Sequence, residues 1–182
     1  VDSNVQQELY RAIHDTAQKY GFRGGAGVIM DVRSGEILAL TSFPEYSSEV
    51  MTQGKDLEKI VQYQTDTNNP FLNRAISGLY TPGSIVKPFI ALGALIEKII
   101  DPNKSILSTG ALELVNPYDP TQKTVFKDWK AHGWVDMREA LALSSNVYFY
   151  TVGGGFEDQK GLGITNIEKY VRMLGLGEIT GI

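Results

Sequence analysis

Ser84 and Lys87 are three residues apart in Thr81-Pro82-Gly83-Ser84-Ile85-Val86-Lys87-Pro88, which leads into the apolar stretch 89–100. A serine hydroxyl is a poor nucleophile at neutral pH unless a base removes its proton. Lysine can be that base when burial or a neighbouring cation lowers its pKa. Thr81 is placed to cap a helix, and Pro82 suits its first position, where a missing N–H costs nothing. Ser84 then falls in the first turn, near the positive end of the helix dipole, with Lys87 on the same face. Pro88 cannot donate to the Ser84 carbonyl, which predicts a kink beside the nucleophile. On its own the pattern also fits a capped amphipathic helix with a surface lysine.

Ser144-Ser145-Asn146 interrupts a second helical stretch. Acyl transfer needs a relay that carries a proton to the leaving nitrogen and a group that holds the substrate amide. Ser144 and Asn146, two residues apart in a tight link between helices, can supply both. Serine and asparagine at such a junction also serve as caps.

The elements that must hold these groups are readable in part. Ser3 and Gln6 form a capping-box pattern ahead of Val5, Leu9, Ile13 and Ala17 at helical spacing. This predicts a first helix over residues 4–20, ended by Gly21. Residues 25–32 and 36–42 are rich in β-formers around an Arg33-Ser34-Gly35 turn and predict a hairpin. A lone hairpin is marginal in water, and the later sequence offers no three further convincing strands, so the sheet reads as incomplete. Residues 43–69 read as a polar excursion with one short helix near 55–63, and 71–78 as a helical turn or two. Asn73 and Arg74 are candidates to fix the approach to the Ser84 segment.

Asp101-Pro102-Asn103 ends the Ser84 helix. Residues 105–130 read as irregular, with β-like pieces at 112–115 and 124–126. Asp136 and Glu139 open a helix, and Thr165 and Glu168 cap a last one with Ile167, Val171 and Leu174 inward.

The 182 residues carry 42% hydrophobic and 21% charged side chains, as expected for one soluble globular domain. The net charge of −4 argues against nucleic acid as a partner. With no cysteine, disulfides and thiolate metal sites are excluded. His14 and His132 are the only histidines and lie far apart, so no metal site is expected. Neither Gly24-Gly25 nor Gly153-Gly154-Gly155 has the residues of a phosphate loop. Asp128-Trp129 and Trp134 could line a groove for a glycan or peptide, but the two tryptophans are assigned to the core as the more frequent case. Tyr148, Phe149 and Tyr150 are assigned to packing.

Taken together, these motifs resemble the transpeptidase domain of penicillin-binding proteins, in particular the class B, elongation-type enzymes. The resemblance spans essentially the whole chain. Residues 26–39 resemble the opening hairpin of that domain, and Asn73-Arg74-Ala75 through Pro88 its nucleophile segment. Phe126-Lys127-Asp128-Trp129, His132-Gly133 and residues 140–150 resemble its second block. Gly175-Leu176-Gly177 with Thr180-Gly181-Ile182 resembles the lead-in to its C-terminal half.

One departure is clear. The Lys-Thr/Ser-Gly motif of the family is absent, and Lys160-Gly161 lacks both the middle residue and a strand context. The chain therefore reads as residues 1–182 of the N-terminal part of one domain. Residues 1–45 would form the first helix and hairpin, and 46–182 a mostly helical lobe. The resemblance implies an α+β fold, an antiparallel sheet and a helical lobe with the active site between them, whose C-terminal strands are missing here.

It also implies peptidoglycan D,D-transpeptidation, with Ser84 as nucleophile, Lys87 as general base, Ser144 as proton relay and Asn146 as ligand of the substrate amide. The Ser84 amide would be one oxyanion donor, and the missing part would supply the other. No cofactor is implied. The expected partners are stem peptides, β-lactams, the rest of the domain and cell-wall elongation proteins. The expected location is the extracytoplasmic face of the bacterial inner membrane, with an anchor upstream of Val1. These residues alone are expected to be inactive. A serine β-lactamase and a β-lactam-sensing receptor share the same motifs and stay open as alternatives.

Overall fold

The computed structural model describes residues 1–116 and 118–179. The expected resemblance at Thr180-Gly181-Ile182 lies outside them. The chain groups into two compact units, Val1–Thr81 and the residues from Pro82 onward. Among the described residues, no helix is long and apolar enough to cross a membrane.

In the first unit, α1 (Ser3–Tyr20) packs on the antiparallel hairpin β1 (Gly25–Met30) and β2 (Ile37–Phe43). The cap is Asp2 rather than Ser3, and its side chain accepts from the N–H groups of Asn4 and Val5. Gln6 is freed from capping and instead reaches β2, where its amide donates to Leu40 O at 2.9 Å and accepts from Leu40 N at 2.8 Å. Gly21 ends the helix in the left-handed conformation, φ 69°.

The two alternate glycines of β1 explain how a helix lies this close to the strand. A Cβ at Gly25 or Gly27 would press into Ile13, and at Gly27 into Leu9 as well. Helix packing gives the hairpin the support that it lacks alone.

The excursion that follows holds two short helices rather than one, α2 (Ser48–Gln53) and α3 (Leu57–Thr65). Residues 71–78 form turns, not helix. There the Arg74 guanidinium donates to the carbonyls of Asn68 and Asn69, and the Arg74 N–H donates to Ser42 Oγ of β2 at 3.1 Å.

The second unit starts with a 3₁₀ turn, Gly83–Val86, which runs into α4 (Lys87–Ile96). It continues through β3 (Ile106–Ser108), β4 (Ala111–Asn116), β5 (Asp119–Lys127) and β6 (Gly133–Val135). Helices α5 (Met137–Ala142), α6 (Asn146–Gly154) and α7 (Ile164–Met173) complete it. Strands β3 and β6 pair antiparallel, as do β4 and β5.

The stretch read as irregular is therefore largely strand. Its polarity hid this, since β5 is exposed along almost its whole length and shows no inside–outside alternation. Helix α7 begins at Ile164 after Gly163 without a side-chain cap, so Thr165 and Glu168 do not cap it. Its buried residue is Tyr170, while Leu174 is half exposed.

The core of this unit joins Ala91 and Ala94 of α4 to Ala140 of α5 and to Tyr148, Phe149 and Val152 of α6. At Gly93 a Cβ would strike the Tyr170 ring, so α4 and α7 approach at a position only glycine fills without displacement. Trp129 and Trp134 are exposed, which corrects their assignment to the core. Tyr148 and Phe149 are buried, whereas Tyr150 is partly exposed.

The Tyr148 side chain is fully buried, and its hydroxyl has no partner among the described residues. Burial, with Asp136 adding to it, pushes that phenol up to about 12. An unpaired buried hydroxyl costs free energy that phenylalanine does not. Tyr148→Phe is therefore expected to stabilise the protein by about 1 kcal/mol, raising Tm by about 2–4 °C. A fall in Tm in thermal denaturation of this variant would contradict the assignment.

Candidate active site

Ser84 sits in the 3₁₀ turn and Lys87 is the first residue of α4. Pro82, not Thr81, precedes the turn, with no side-chain cap. The expected irregularity at Pro88 takes the form of this 3₁₀-to-α change. The Lys87 N–H donates to the Ser84 carbonyl, which Pro88 cannot reach with an N–H of its own. The change leaves Ser84 exposed and Lys87 almost wholly buried, at 7% exposure.

The link between α5 and α6 is three residues, Leu143-Ser144-Ser145, with its middle one in the left-handed region. Ser144 has φ 53°. Its N–H donates to Leu141 O at 3.2 Å, and the Ser145 N–H donates to Ala140 O at 2.9 Å, the bond pattern of a Schellman C-cap. Glycine normally fills that position, so serine there carries strain of about 1 kcal/mol. Ser145 then caps α6, its Oγ accepting from Tyr148 N–H at 3.4 Å. The cap reading holds for Ser145, while the flanking Ser144 and Asn146 turn their side chains elsewhere.

Both point to Lys87. Its Nζ lies 2.7 Å from Ser144 O, 3.0 Å from Ser144 Oγ and 2.6 Å from Asn146 Oδ1. Ser144 Oγ is in turn 3.1 Å from Ser84 Oγ. Ser84, Lys87, Ser144 and Asn146 are thus brought together in one unit of the fold. Among the described residues, Ser84 connects to Lys87 through Ser144 rather than directly. Asn146 spans two elements, its Nδ2 donating to Lys127 O of β5 at 3.4 Å.

Burial pushes the Lys87 ammonium below its ordinary pKa, against the Asp128 carboxylate, which favours the charged form. A place at the positive end of α4 adds to the discrimination against charge. Three acceptors around Nζ suit an ammonium. A neutral amine fits as well, donating to Ser144 O and Asn146 Oδ1 and accepting from Ser144 Oγ–H.

Beneath the link lies Asp128, which reading the motifs did not single out as part of the site. Burial alone would raise its pKa. The N–H groups of Val147 and Trp129, the Ser145 hydroxyl and the Asn146 N–H outweigh that and hold the carboxyl below its ordinary value. The Asp-Trp pair ahead of His132 was its one sequence signal. Among the described residues no group of three or more His, Cys, Asp or Glu side chains is placed to hold a metal ion. Trp129 stays at the surface with its indole N–H donating to Leu143 O at 3.2 Å.

Residues 25–182 match the family described as the penicillin binding protein transpeptidase domain. The peptidoglycan D,D-transpeptidase MrdA of Acinetobacter baumannii is 33% identical over 168 residues, which is 91% of this chain and 23% of that protein. The penicillin-binding protein PBP2 of Helicobacter pylori superposes with a TM-score of 0.72 at 32% identity, over 92% of this chain and 30% of that one. In its complex with MreC the same protein gives a TM-score of 0.70 at 32% identity, over 91% of this chain and 29% of that one. The chain spans about a quarter of the length of the curated relatives that it matches. The fold is α+β, a fragment of the larger fold of these neighbours.

Proposed function

This chain belongs to the penicillin-binding protein transpeptidase family, and we propose that the full-length protein is a peptidoglycan D,D-transpeptidase of the elongation type that works through an acyl-serine. The observation that carries the reading is the run of contacts from Ser84 Oγ through Ser144 Oγ to a buried Lys87 Nζ, at 3.1 and 3.0 Å.

Ser84 Oγ attacks the carbonyl carbon of the penultimate D-alanine of a stem peptide. Its proton passes to Ser144 Oγ, and the Ser144 proton passes to the neutral Lys87 amine. As the tetrahedral intermediate collapses, the C–N bond breaks and the proton returns by the same route to the leaving nitrogen of the terminal D-alanine. An amine of a second strand then attacks the ester, giving its proton to the same relay, and Ser84 is restored. Asn146 holds the amide of the substrate. To do so it redirects the amide that here contacts Lys87 and the Lys127 carbonyl. β-Lactams acylate Ser84 by the same first step, with the lactam C–N bond opening.

The names of the relatives support this reading, as does the MreC complex of the Helicobacter pylori protein for a partnership with cell-wall elongation proteins. A substrate in the cell wall supports an extracytoplasmic location, and a membrane anchor in a segment upstream of Val1 is part of the proposal.

The test is to incubate full-length protein with a disaccharide pentapeptide ending in D-alanyl-D-alanine and an amine acceptor. Release of D-alanine with formation of cross-linked product, both blocked by penicillin, is the expected result. Fast penicillin hydrolysis without cross-linking would indicate a β-lactamase instead. A long-lived adduct with no turnover of peptide would indicate a sensor.

The strained backbone at Ser144 yields a further expectation. Ser144→Gly removes a non-glycine residue from the left-handed region and with it the relay hydroxyl. It is expected to melt no lower than the unsubstituted protein while acylating roughly 10²-fold more slowly. Thermal denaturation beside penicillin-binding kinetics checks the pair, and undiminished acylation would remove Ser144 from the relay.

A further inference from the structure

We propose that Asp128 is a positioning residue for this site, the buried carboxylate that fixes the directions in which Ser144 and Asn146 face Lys87. The proposal rests on the functional reading above.

The Asp128 side chain is fully buried. Its Oδ2 accepts from Ser145 Oγ at 3.0 Å, from Val147 N–H at 3.0 Å and from Ser108 Oγ at 3.3 Å. Its Oδ1 accepts from Trp129 N–H at 2.8 Å. Two of these donors flank Asn146, and Ser145 directly follows Ser144. One carboxylate therefore ties down the junction that carries both site side chains, Ser144 in the link and Asn146 at the start of α6, and anchors it to β3 through Ser108. Ser145 and Ser108 hydroxyls are themselves 3.3 Å apart, which closes the set.

Trp129 Nε1–H and Lys87 Nζ hold the Leu143 and Ser144 carbonyls of the link, and Asp128 holds its other side, where it enters α6. The Schellman bonds of the link set the backbone at the end of α5, but Ser144 lies in a region that serine leaves readily. A carboxylate is suited to this task, because it accepts on both oxygens at once and holds no donor that would oppose the N–H and O–H groups around it. The His132 ring packs behind it, with Nε2 3.6 Å from Asp128 Oδ1 and its ring stacked edge-on against Trp129 at 5.0 Å. Asp128 also supplies the charge acting on Lys87, which it stabilises in the protonated form. From α6, Lys87 faces the uncharged Asn146 and the Phe149 ring, whose centroid is 5.9 Å from Nζ.

Asparagine at this position turns an NH₂ group toward either the Trp129 N–H or the Ser145 and Val147 donors. In full-length protein, Asp128→Asn is expected to lower the rate of acylation by a fluorescent penicillin roughly 10²-fold. Initial non-covalent binding is expected to stay unchanged, and labelling at long times to reach the same stoichiometry. Removal of the negative charge also moves the acid limb of the acylation profile to lower pH, since a less stabilised Lys87 ammonium loses its proton earlier.

A role confined to holding the fold together would not move that limb. Ser145→Ala, which removes one hydroxyl and leaves the charge, reads the geometry even where Asp128→Asn fails to fold. It is expected to slow the acylation step about tenfold with unchanged initial binding. Acylation of Ser145→Ala within about threefold of the unsubstituted protein would overturn the proposal. A folded Asp128→Asn that is unslowed, or slowed with an unmoved acid limb, would overturn it equally. Failure of the unsubstituted protein to acylate at all would refute the functional reading instead, so the two failures are told apart.

Discussion

Replacing Lys87 with methionine in the full-length protein is expected to slow acylation by penicillin roughly 10³-fold, the usual worth of a positioned general base. Methionine is close to lysine in length and apolar, so the buried place beside Phe149 stays filled while the amine is lost. Two consequences separate this from a folding defect. The first concerns pH. Burial lowers the Lys87 pKa, so the unsubstituted enzyme gains its neutral base at a pH below the ordinary lysine value of 10.5. Acylation therefore rises with pH along a limb that belongs to Lys87, and in Lys87→Met that limb disappears.

The second concerns stability. Between the lowered folded value and 10.5 the unfolded chain binds more protons at Lys87 than the folded one does. Stability rises with pH across that window, because the cost of burying the ammonium is present in full below it and is relieved above it. Lys87→Met has no such cost and is expected to lose that dependence while folding at least as stably near neutral pH. An acylation rate in Lys87→Met within tenfold of the original would remove Lys87 from the role of base.

Ser84→Ala is expected to have the largest effect, the loss of all covalent labelling by penicillin. Alanine takes away the one atom that forms the ester, and no other hydroxyl can replace it in that place. Ser144 Oγ lies next to Ser84 Oγ but is held by Lys87, and Ser145 Oγ is buried on Asp128. Ser84 is exposed in a short turn, its Oγ hydrogen-bonded to Ser144 Oγ, so the substitution leaves the core intact and Tm unchanged within about 1–2 °C. Stoichiometric labelling that persists in Ser84→Ala would place the nucleophile elsewhere.

The parts of the fold that could be read in the sequence are those with a strong period and a local stop. Helix α1, the hairpin β1–β2 and the α5–α6 pair with its Asp136–Glu139 capping box all fall within a few residues of their expected bounds. Of the strands β3 to β6, the β-like pieces at 112–115 and 124–126 fall inside β4 and β5, whereas β3, β6 and the full length of β5 were not legible. Two have three residues, and β5 is polar and exposed, so none carries the alternation that marks a half-buried strand. The pairing of β3 with β6 depends on partners far along the chain, as in Ile106 with Val135.

The site divides in the same manner. Ser84 and Lys87 stand out because a spacing of three on a helical segment puts them on one face, and Ser144 and Asn146 because they flank one residue at a tight junction between helices. Residue spacing did not give the path from Ser84 to Lys87 through Ser144, although the resemblance implied a relay role for Ser144. The path depends on how a three-residue link, with Ser144 in the left-handed region, docks against α4. Asp128 was hidden for a related reason. It works from a loop between β5 and β6, seventeen residues before Ser145 in the chain, and only the closed fold brings its carboxylate under the link.

The most direct measurement is to locate the acyl group. Full-length protein is treated with penicillin, digested, and its peptides are sequenced by mass spectrometry. One adduct per chain is expected, on Ser84 in the peptide that holds Pro82-Gly83-Ser84. An adduct on any other residue, or none in protein shown to be folded, would contradict it.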